Sequence, residues 1–523
     1  MRTQWYYRGS LNFCNYSCSY CPFAKKQYSA SCLARDQAEW ERFVSFMEKR
    51  QQENNSNSFH GMDEQKEELG AVLVVPYGEA LLHDYYWEGL ARLSRLPFLE
   101  YVGAQSNFSF PVEEKLSLFE TCHGEKRKLR LWGTFHPEMV DMDAFLTTCR
   151  QLDSCSVNYC VGAVGVPEQL DLLTSFREKL FPNRYLFINR MDGLNRPYSE
   201  EEIAAFTAID PYFPLELMKH TSGEGGCANS CFVTGNGDVY GCTISRQRLG
   251  NLYAAPDEGK QTQGRRCSKR RCDCYLAYNN LHEKELLFFE PYPAFRIPDY
   301  RRALFFDVDG TLVFDGETTI SEDRAGWLSF LSKHTKLLAA TSLPYEIAMR
   351  KLGKAASLFS GGVFANGGRI VMNEKGLDVI QPMEETVVAK LEQLAKAHQI
   401  KCYVYRKEDT CYKLTLEEHR TQGKFLQWKK EQFSSLRDKL ALPEGYKIIL
   451  EGHCLQITAE HTGKLNGILY LLKQLGLSKE EVGFFGNGEN DLEAVSYFPF
   501  SVAVESRSEE VRRAAAIVLD NLS

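Results

Sequence analysis

Over the first ~210 residues apolar positions fall into two alternating textures, one strand-like and one helix-like. Strand-type runs lie at Trp5–Leu11, Ala71–Val75, Tyr101–Gln105, Leu129–Thr134, Ser156–Val161 and Tyr185–Asn189. Between them Asp36–Lys49, Tyr85–Leu93, Met142–Gln151 and Glu168–Leu180 carry apolar residues at helical spacing. Six βα units of this kind predict a parallel sheet, either doubly wound or closed toward a barrel. Gln51–Glu68 is polar and patternless and reads as a surface loop. From Thr221 to Asn280 cysteine, glycine and basic residues replace the apolar periodicity, so this stretch builds little core unless metal holds it. Glu290–Tyr300 (EPYPAFRIPDY, three prolines) reads as a semi-rigid linker, and Ala303–Val308 then opens a second alternating α/β pattern.

Composition narrows the choices. A chain of 523 residues predicts three or four domains at ~150 residues each. With 44% hydrophobic and 25% charged residues it is neither disordered nor fibrous. A net charge of -7 argues against a polybasic nucleic-acid surface. No run reaches the ~20 apolar residues of a membrane helix, and the opening MRTQWYYRGS lacks a signal-peptide pattern. The expectation is a cytoplasmic protein without a membrane partner. The 17 cysteines are the unusual figure. In a chain with no mark of secretion, clustered cysteines point to metal or thiol chemistry rather than disulfides. Cys32, Cys122, Cys149, Cys155, Cys160, Cys402, Cys411 and Cys454 are scattered and read as small buried hydrophobes.

Cys14, Cys18 and Cys21 follow the first strand in FCNYSCSYCPF. Three thiolates on one loop can bind three irons of a [4Fe–4S] cube and leave the fourth open. The other reading is a zinc loop, for which a fourth ligand is wanted, and His60 is the nearest histidine. The spacing, with aromatic Tyr20 before the last cysteine, resembles the radical SAM superfamily. That resemblance implies a partial (β/α)6 TIM-type barrel over residues 1–215, with S-adenosylmethionine chelated by the open iron. One electron then yields a 5′-deoxyadenosyl radical, and an electron donor such as flavodoxin or ferredoxin is implied. Tyr77-Gly78-Glu79-Ala80 resembles the family's Gly-Gly-Glu turn, with Tyr77 in place of the first glycine, and would hold the methionine amino group. Asn107 and His136 stand where the family places ribose or substrate contacts.

Cys227, Cys231, Cys242, Cys267, Cys272 and Cys274 form a second group, with Gly237-Asp238 reading as a hairpin turn before Cys242. Gly237-x4-Cys242 and the later cysteines resemble the SPASM/twitch extension, placed here at 216–285. It implies one auxiliary [4Fe–4S] cluster on Cys227, Cys242, Cys267 and either Cys272 or Cys274, with Cys231 spare. Zinc, or two clusters with an open position, are the other readings. The interleaved Arg265, Arg266, Lys269, Arg270 and Arg271 balance thiolate charge or meet a substrate phosphate, nucleic acid being the less favoured partner.

In Phe306-Asp307-Val308-Asp309-Gly310-Thr311, two carboxylates at spacing two lie on one side of extended chain. One can attack phosphorus while the other shuttles a proton. The run resembles the haloacid dehalogenase (HAD) superfamily, whose later motifs are matched by Thr341, Lys464 and Gly486-Asn487-Gly488-Glu489-Asn490-Asp491. The resemblance implies a Rossmann-like domain over 301–523, preceded by the linker 286–300. It makes Asp307 the nucleophile, Asp309 the general acid/base, and Thr341 and Lys464 the phosphate holders. Mg2+ would be held by Asp307, Asp309, Asn487 and Asp491, although Asn487 replaces the usual acid. Phe364–Gly367 and the long insert resemble the Cof-like branch, with an α/β cap at about Pro382–Gly452. The combined expectation is a bifunctional enzyme acting on a phosphorylated or nucleotide-linked small molecule. The alternative is a maturase of a ribosomal peptide in which the last domain binds a phospho-ligand or gates the radical site.

Overall fold

The structure, a computed structural model, describes residues 3–21, 23, 29–56, 69–181, 184–217, 220–221, 230–241, 248–254, 271–272, 287–292, 295–397, 401–417, 445–451, 454–520 and 522. It divides into two compact units, Met1–Asp299 and Tyr300–Ser523.

In the first unit β1 (Thr3–Arg8), β2 (Leu69–Val74), β3 (Tyr101–Ser106), β4 (Leu129–Phe135), β5 (Asn158–Gly165) and β6 (Leu186–Arg190) lie side by side in chain order, all parallel. Among the described residues β6 is the last strand on its side of the sheet. Past β1 the sheet gains β8 (Ser230–Thr234), parallel to β1, then the antiparallel β9 (Asp238–Tyr240) and β10 (Arg248–Asn251). Helices α1 (Ala30–Ser56), α2 (Asp84–Ser94), α3 (Val112–Thr121), α4 (Met142–Ser154) and α5 (Leu170–Lys179) fall between successive strands. Trp40, Phe43, Trp87, Phe119, Phe145 and Phe176 of these helices share one buried core with Tyr7, Val72, Val102, Leu131, Val161 and Ile188 of the strands. α1 runs seven residues past the expected Lys49, into the stretch expected to be loop, because EKRQQENNS contains no glycine or proline to stop it.

The opposite face of the sheet is covered as well, by the stretch expected to be a linker. Phe288, Phe289, Tyr292, Phe295, Arg296 and Ile297 are buried. Tyr292 and Phe295 stand edge-on to Tyr101, the Arg296 guanidinium lies 4.2 Å from the Trp132 ring and 4.0 Å from Phe187, and Glu290 pairs with Arg130 at 2.6 Å. Cys160 Sγ donates to the Phe295 carbonyl at 3.1 Å. The described residues 287–292 and 295–299 form a strip packed on the sheet rather than a tether, and they belong to the first unit.

The second unit is built on an eight-stranded sheet. β12 (Ala303–Phe306) is central, with β13 (Lys336–Ala340) and β14 (Phe359–Phe364) on one side and β21 (Val482–Gly486), β22 (Phe500–Val504) and β23 (Ile517–Leu519) on the other, all parallel. β15 (Arg369–Met372) and β16 (Leu377–Ile380) extend it antiparallel. This is a Rossmann-like α/β layer, and strand order reverses at β12, where a crevice opens beyond the carboxyl ends. The insert after β16 is a helix, Glu385–Ala397, with an antiparallel sheet of β17 (Lys401–Lys407), β18 (Thr410–Glu417), β19 (Tyr446–Glu451) and β20 (Cys454–Ala459). The cap therefore continues beyond the expected Gly452, because β20 pairs with both β18 and β19.

Candidate active sites

β1 stops at Arg8 because α1 takes over the next backbone donors. Ser10 N donates to Glu39 Oε2 at 2.9 Å and Leu11 N to Asp36 Oδ1 at 2.7 Å. Asp36 is fully buried, receives the Tyr85 and Tyr86 hydroxyls at 2.8 and 2.9 Å, and burial pushes its carboxyl above the ordinary value. Further along the loop, Ser19 N and Oγ donate to Glu138 at 2.7 and 2.5 Å. Asn107 Nδ2 donates to Asn15 Oδ1 at 2.9 Å and reaches Cys14 Sγ at 3.8 Å, and Tyr16 N donates to the same sulfur at 3.4 Å. Cys14, Cys18 and Cys21 thus ride on a loop held by α1, by the end of β3 and by the turn after β4.

Burial, with Cys21 and Cys14 nearby, pushes the Cys18 thiol up to about 11, and burial also raises Cys14. Thiols in this setting become stable thiolates only with positive charge such as iron beside them. Among the described residues no three His, Cys, Asp or Glu converge on one point as a single ion would require. A cube makes a different demand, since each thiolate binds its own iron and the ligands surround the cluster. The three thiols line one cavity from one short loop, which is the placement such a group would need.

These cysteines border a cavity of about 230 Å3 that Glu79, Asn107 and His136 also line. The Tyr77–Ala80 turn seats against the cysteine loop: Glu79 N donates to the Phe13 carbonyl at 2.8 Å, and a Cβ on Gly78 would lie 1.9 Å from that oxygen. Tyr77 is exposed, with the Arg8 guanidinium 4.2 Å from its ring centre. The Glu79 carboxylate accepts from Asn107 N at 2.6 Å, Ser106 Oγ at 2.8 Å and Leu81 N at 3.1 Å, while burial raises it to about 7. It ties the ends of β2 and β3 together. His136 shares a 3.1 Å hydrogen bond with Tyr20 and stacks on its ring, and burial lowers it to about 4, so it is neutral at pH 7.

Of the second cysteine group, Cys227, Cys242, Cys267 and Cys274 lie outside the described residues, as do Arg265, Arg266, Lys269 and Arg270. Cys272 lies in β11 (Arg271–Cys272), paired with His220 of β7 (His220–Thr221). Cys231 is buried in β8 opposite Trp5, the place of a core residue. Gly237, at φ +88°, turns the β8–β9 hairpin as expected.

In the second unit Asp307 continues β12, its N–H bonded to the Phe485 carbonyl at 2.8 Å. Lys464 Nζ, on the first residue of the helix Lys464–Leu475, donates to Asp307 Oδ1 at 2.8 Å and Asp491 Oδ1 at 2.7 Å, and all three side chains are buried. Asp491 Oδ2 accepts Asn487 N at 2.9 Å and Gly488 N at 3.0 Å, fixing the loop after β21. Thr311 Oγ1 stands 3.5 Å from Asp307 Oδ2 and 3.4 Å from Asn487 Oδ1. Gly310 has φ +80°, and a Cβ there would lie 1.9 Å from Asn487 Nδ2. Thr341 is buried just past β13, and because Phe306 pairs with Ala339, Asp307 and Thr341 leave neighbouring strand ends.

The carboxylates expected to share Mg2+ do not surround one point. Asp309 pairs with Lys351, and Asp491 is engaged by Lys464 and two backbone N–H groups. Asp307 and Asn487, on either side of Thr311, are the oxygen donors that suit a hard cation. Asp36, Glu138 and Lys351 were not singled out by the sequence. Each is a charged residue on or beside a helix and carries no motif of its own.

Residues 304–450 and 446–522 match the profile of the haloacid dehalogenase-like hydrolase family. Phosphoglycolate phosphatase 1 of Saccharolobus solfataricus is 27% identical over 229 residues, 42% of this chain and 90% of that protein. The phosphoglycolate phosphatase of Aeropyrum pernix is 37% identical over 79 residues, 15% of this chain and 33% of that one. Among solved structures, a haloacid dehalogenase-like hydrolase from Bacteroides thetaiotaomicron aligns at TM-score 0.35 and 20% identity, covering 42% of this chain and 94% of that one.

Proposed function

We propose that this chain joins two catalysts, of which the C-terminal one, a haloacid dehalogenase-like hydrolase domain, is a Mg2+-dependent phosphomonoesterase. The buried Lys464 bridging Asp307 and Asp491 carries this reading. Its ammonium lies 2.8 Å from Asp307 Oδ1 at the strand end, from which the carboxylate would attack phosphorus. Attack forms an Asp307–phosphorus bond and breaks the ester P–O bond, whose electron pair stays on the leaving oxygen. Asp309, once it has turned from Lys351 and taken a proton from solvent, passes that proton to the leaving oxygen. Water then attacks the aspartyl phosphate, gives its proton to Asp309 and releases phosphate with Asp307 restored. Thr341 and Lys464 hold the phosphoryl oxygens. Mg2+ on Asp307 and Asn487 would neutralise phosphate charge. The named relatives support a small phosphomonoester as substrate. With Mg2+ present, the full chain should release phosphate from such esters, and Asp307→Asn should abolish it. A wild-type chain inert on a broad ester panel would sink the reading.

The N-terminal unit reads as a radical SAM enzyme whose sheet is the wall of a partial barrel. Cys14, Cys18 and Cys21, held over the cavity at the carboxyl ends of the strands, support it. A [4Fe–4S] cluster with S-adenosylmethionine would supply one-electron chemistry there, fed by flavodoxin or ferredoxin. The chain's own part is to donate to Cys14 from Tyr16 N and Asn107, to present neutral His136, and to wall off water with Tyr16 and Tyr20. Cys227, Cys242, Cys267 and Cys272 or Cys274 would hold the second cluster. Anaerobic reconstitution tests this: replacing all three loop cysteines by alanine should remove about four irons. Failure of the reduced protein to make 5′-deoxyadenosine would reject the radical assignment.

A further inference from the structure

The geometry points to Lys351 as the residue that selects the leaving group of the hydrolase, favouring esters with a negative charge next to the scissile oxygen. The inference rests on the phosphatase reading and adds to it a substrate class.

Lys351 lies on the helix Tyr345–Leu352, which follows the loop carrying Thr341. Its ammonium is bonded directly to Asp309 Oδ1. Asp307, Lys464 and Asp491 are buried, whereas the Asp309 and Lys351 side chains are 36% and 30% exposed, so this pair stands at the accessible side of the site. A half-exposed ion pair adds little to stability, so folding alone gives little reason for it. Position gives a better one. To receive a proton, the leaving oxygen must come within roughly 2.6–3.2 Å of Asp309. Substituents on the adjoining carbon are then within reach of the ammonium resting on that same carboxylate.

A carboxylate or second phosphate at that carbon competes with Asp309 for Lys351. Binding it frees the Asp309 carboxyl to turn toward the ester oxygen, so recognition and release of the acid/base are one event. A neutral leaving group leaves the Asp309–Lys351 pair closed. A cap residue also reaches the loop that carries Thr341: buried Lys413 donates to the Ser342 carbonyl, one residue after Thr341.

Two probes of nearly equal size separate the possibilities: 2-phosphoglycolate, with a carboxylate beside the leaving carbon, and 2-hydroxyethyl phosphate, with a neutral hydroxymethyl there. The full chain with Mg2+ should show kcat/KM about tenfold or more higher for the first, the scale of one charge-assisted contact. Lys351→Met should bring the ratio to about one, chiefly by raising KM for 2-phosphoglycolate, and Lys351→Arg should restore a preference. The ratio is taken within one preparation and does not depend on the fraction folded. Equal wild-type rates, a preference that survives Lys351→Met, or a variant that loses both substrates alike would overturn the inference while leaving the phosphatase standing. Hydrolysis of neither probe, nor of any other ester, would instead remove the phosphatase reading and this one with it.

Discussion

At the centre of the hydrolase site one ammonium serves two buried carboxylates. Removing it takes the shared cation from both, and breaking a buried ion pair costs ~3–5 kcal/mol. Lys464→Met should therefore lower the unfolding free energy of the second unit by an amount of that order in urea titrations and abolish phosphate release. In the first unit the informative residue is Glu216. Its carboxyl is buried, receives Asn189 Nδ2 at 3.3 Å, lies 3.8 Å from the Arg296 guanidinium, and is raised from 4.5 to about 7, chiefly by burial. Between those two values the folded state holds the proton more tightly than the unfolded state. The contribution of this group to stability is therefore full below about 4.5 and is lost as pH rises through about 7. The full effect is on the order of 3 kcal/mol. Glu216→Gln should flatten that part of the stability profile in denaturant titrations at several pH values. A slope unchanged by the substitution would place the titrating group elsewhere.

Elements differ in how openly the sequence declares them. The βα alternation is plain because each strand and helix buries one apolar face at its own period, and the hydrolase motifs are plain because acids cluster at strand ends. The packed strip at 287–298 is not, since three prolines and a charged pair mimic a spacer. Its message lies in Phe288, Tyr292 and Phe295, whose burial depends on what the sheet offers them. The helix end beyond Lys49 was hidden for the opposite reason, because polar residues without glycine or proline suit helix and loop alike. Of the candidate sites, the cysteine triplet and the Asp307–Asp309 pair stand out in the sequence because their residues are close together along the chain. Lys351 and Asp36 do not, because their partners are distant in sequence. If the strip is structural, Phe295→Ala should cost ~3–5 kcal/mol in the first unit, read by chemical denaturation. A tether would tolerate the change.

For the whole molecule, each unit closes its own core, the first around Trp40 and Phe43, the second around Phe305 and Phe484. Calorimetry should resolve two transitions, and orthovanadate with Mg2+, a mimic of the phosphoryl group in flight, should raise one and leave the other in place. A single transition shifted as a unit would show that the halves unfold together. No helix among the described residues is long and apolar enough to cross a membrane. The packed strip, residues 287–292 and 295–299, also decides where the two units can be parted. Severed near residue 286, the first half would lose the cover over Tyr101, Trp132 and Phe187 and strand the charges of Arg130 and Glu216, inviting aggregation. Severed after Asp299, it keeps them. Any exchange of hydrolase partners, in the laboratory or in evolution, must carry that strip with the cysteine-bearing half.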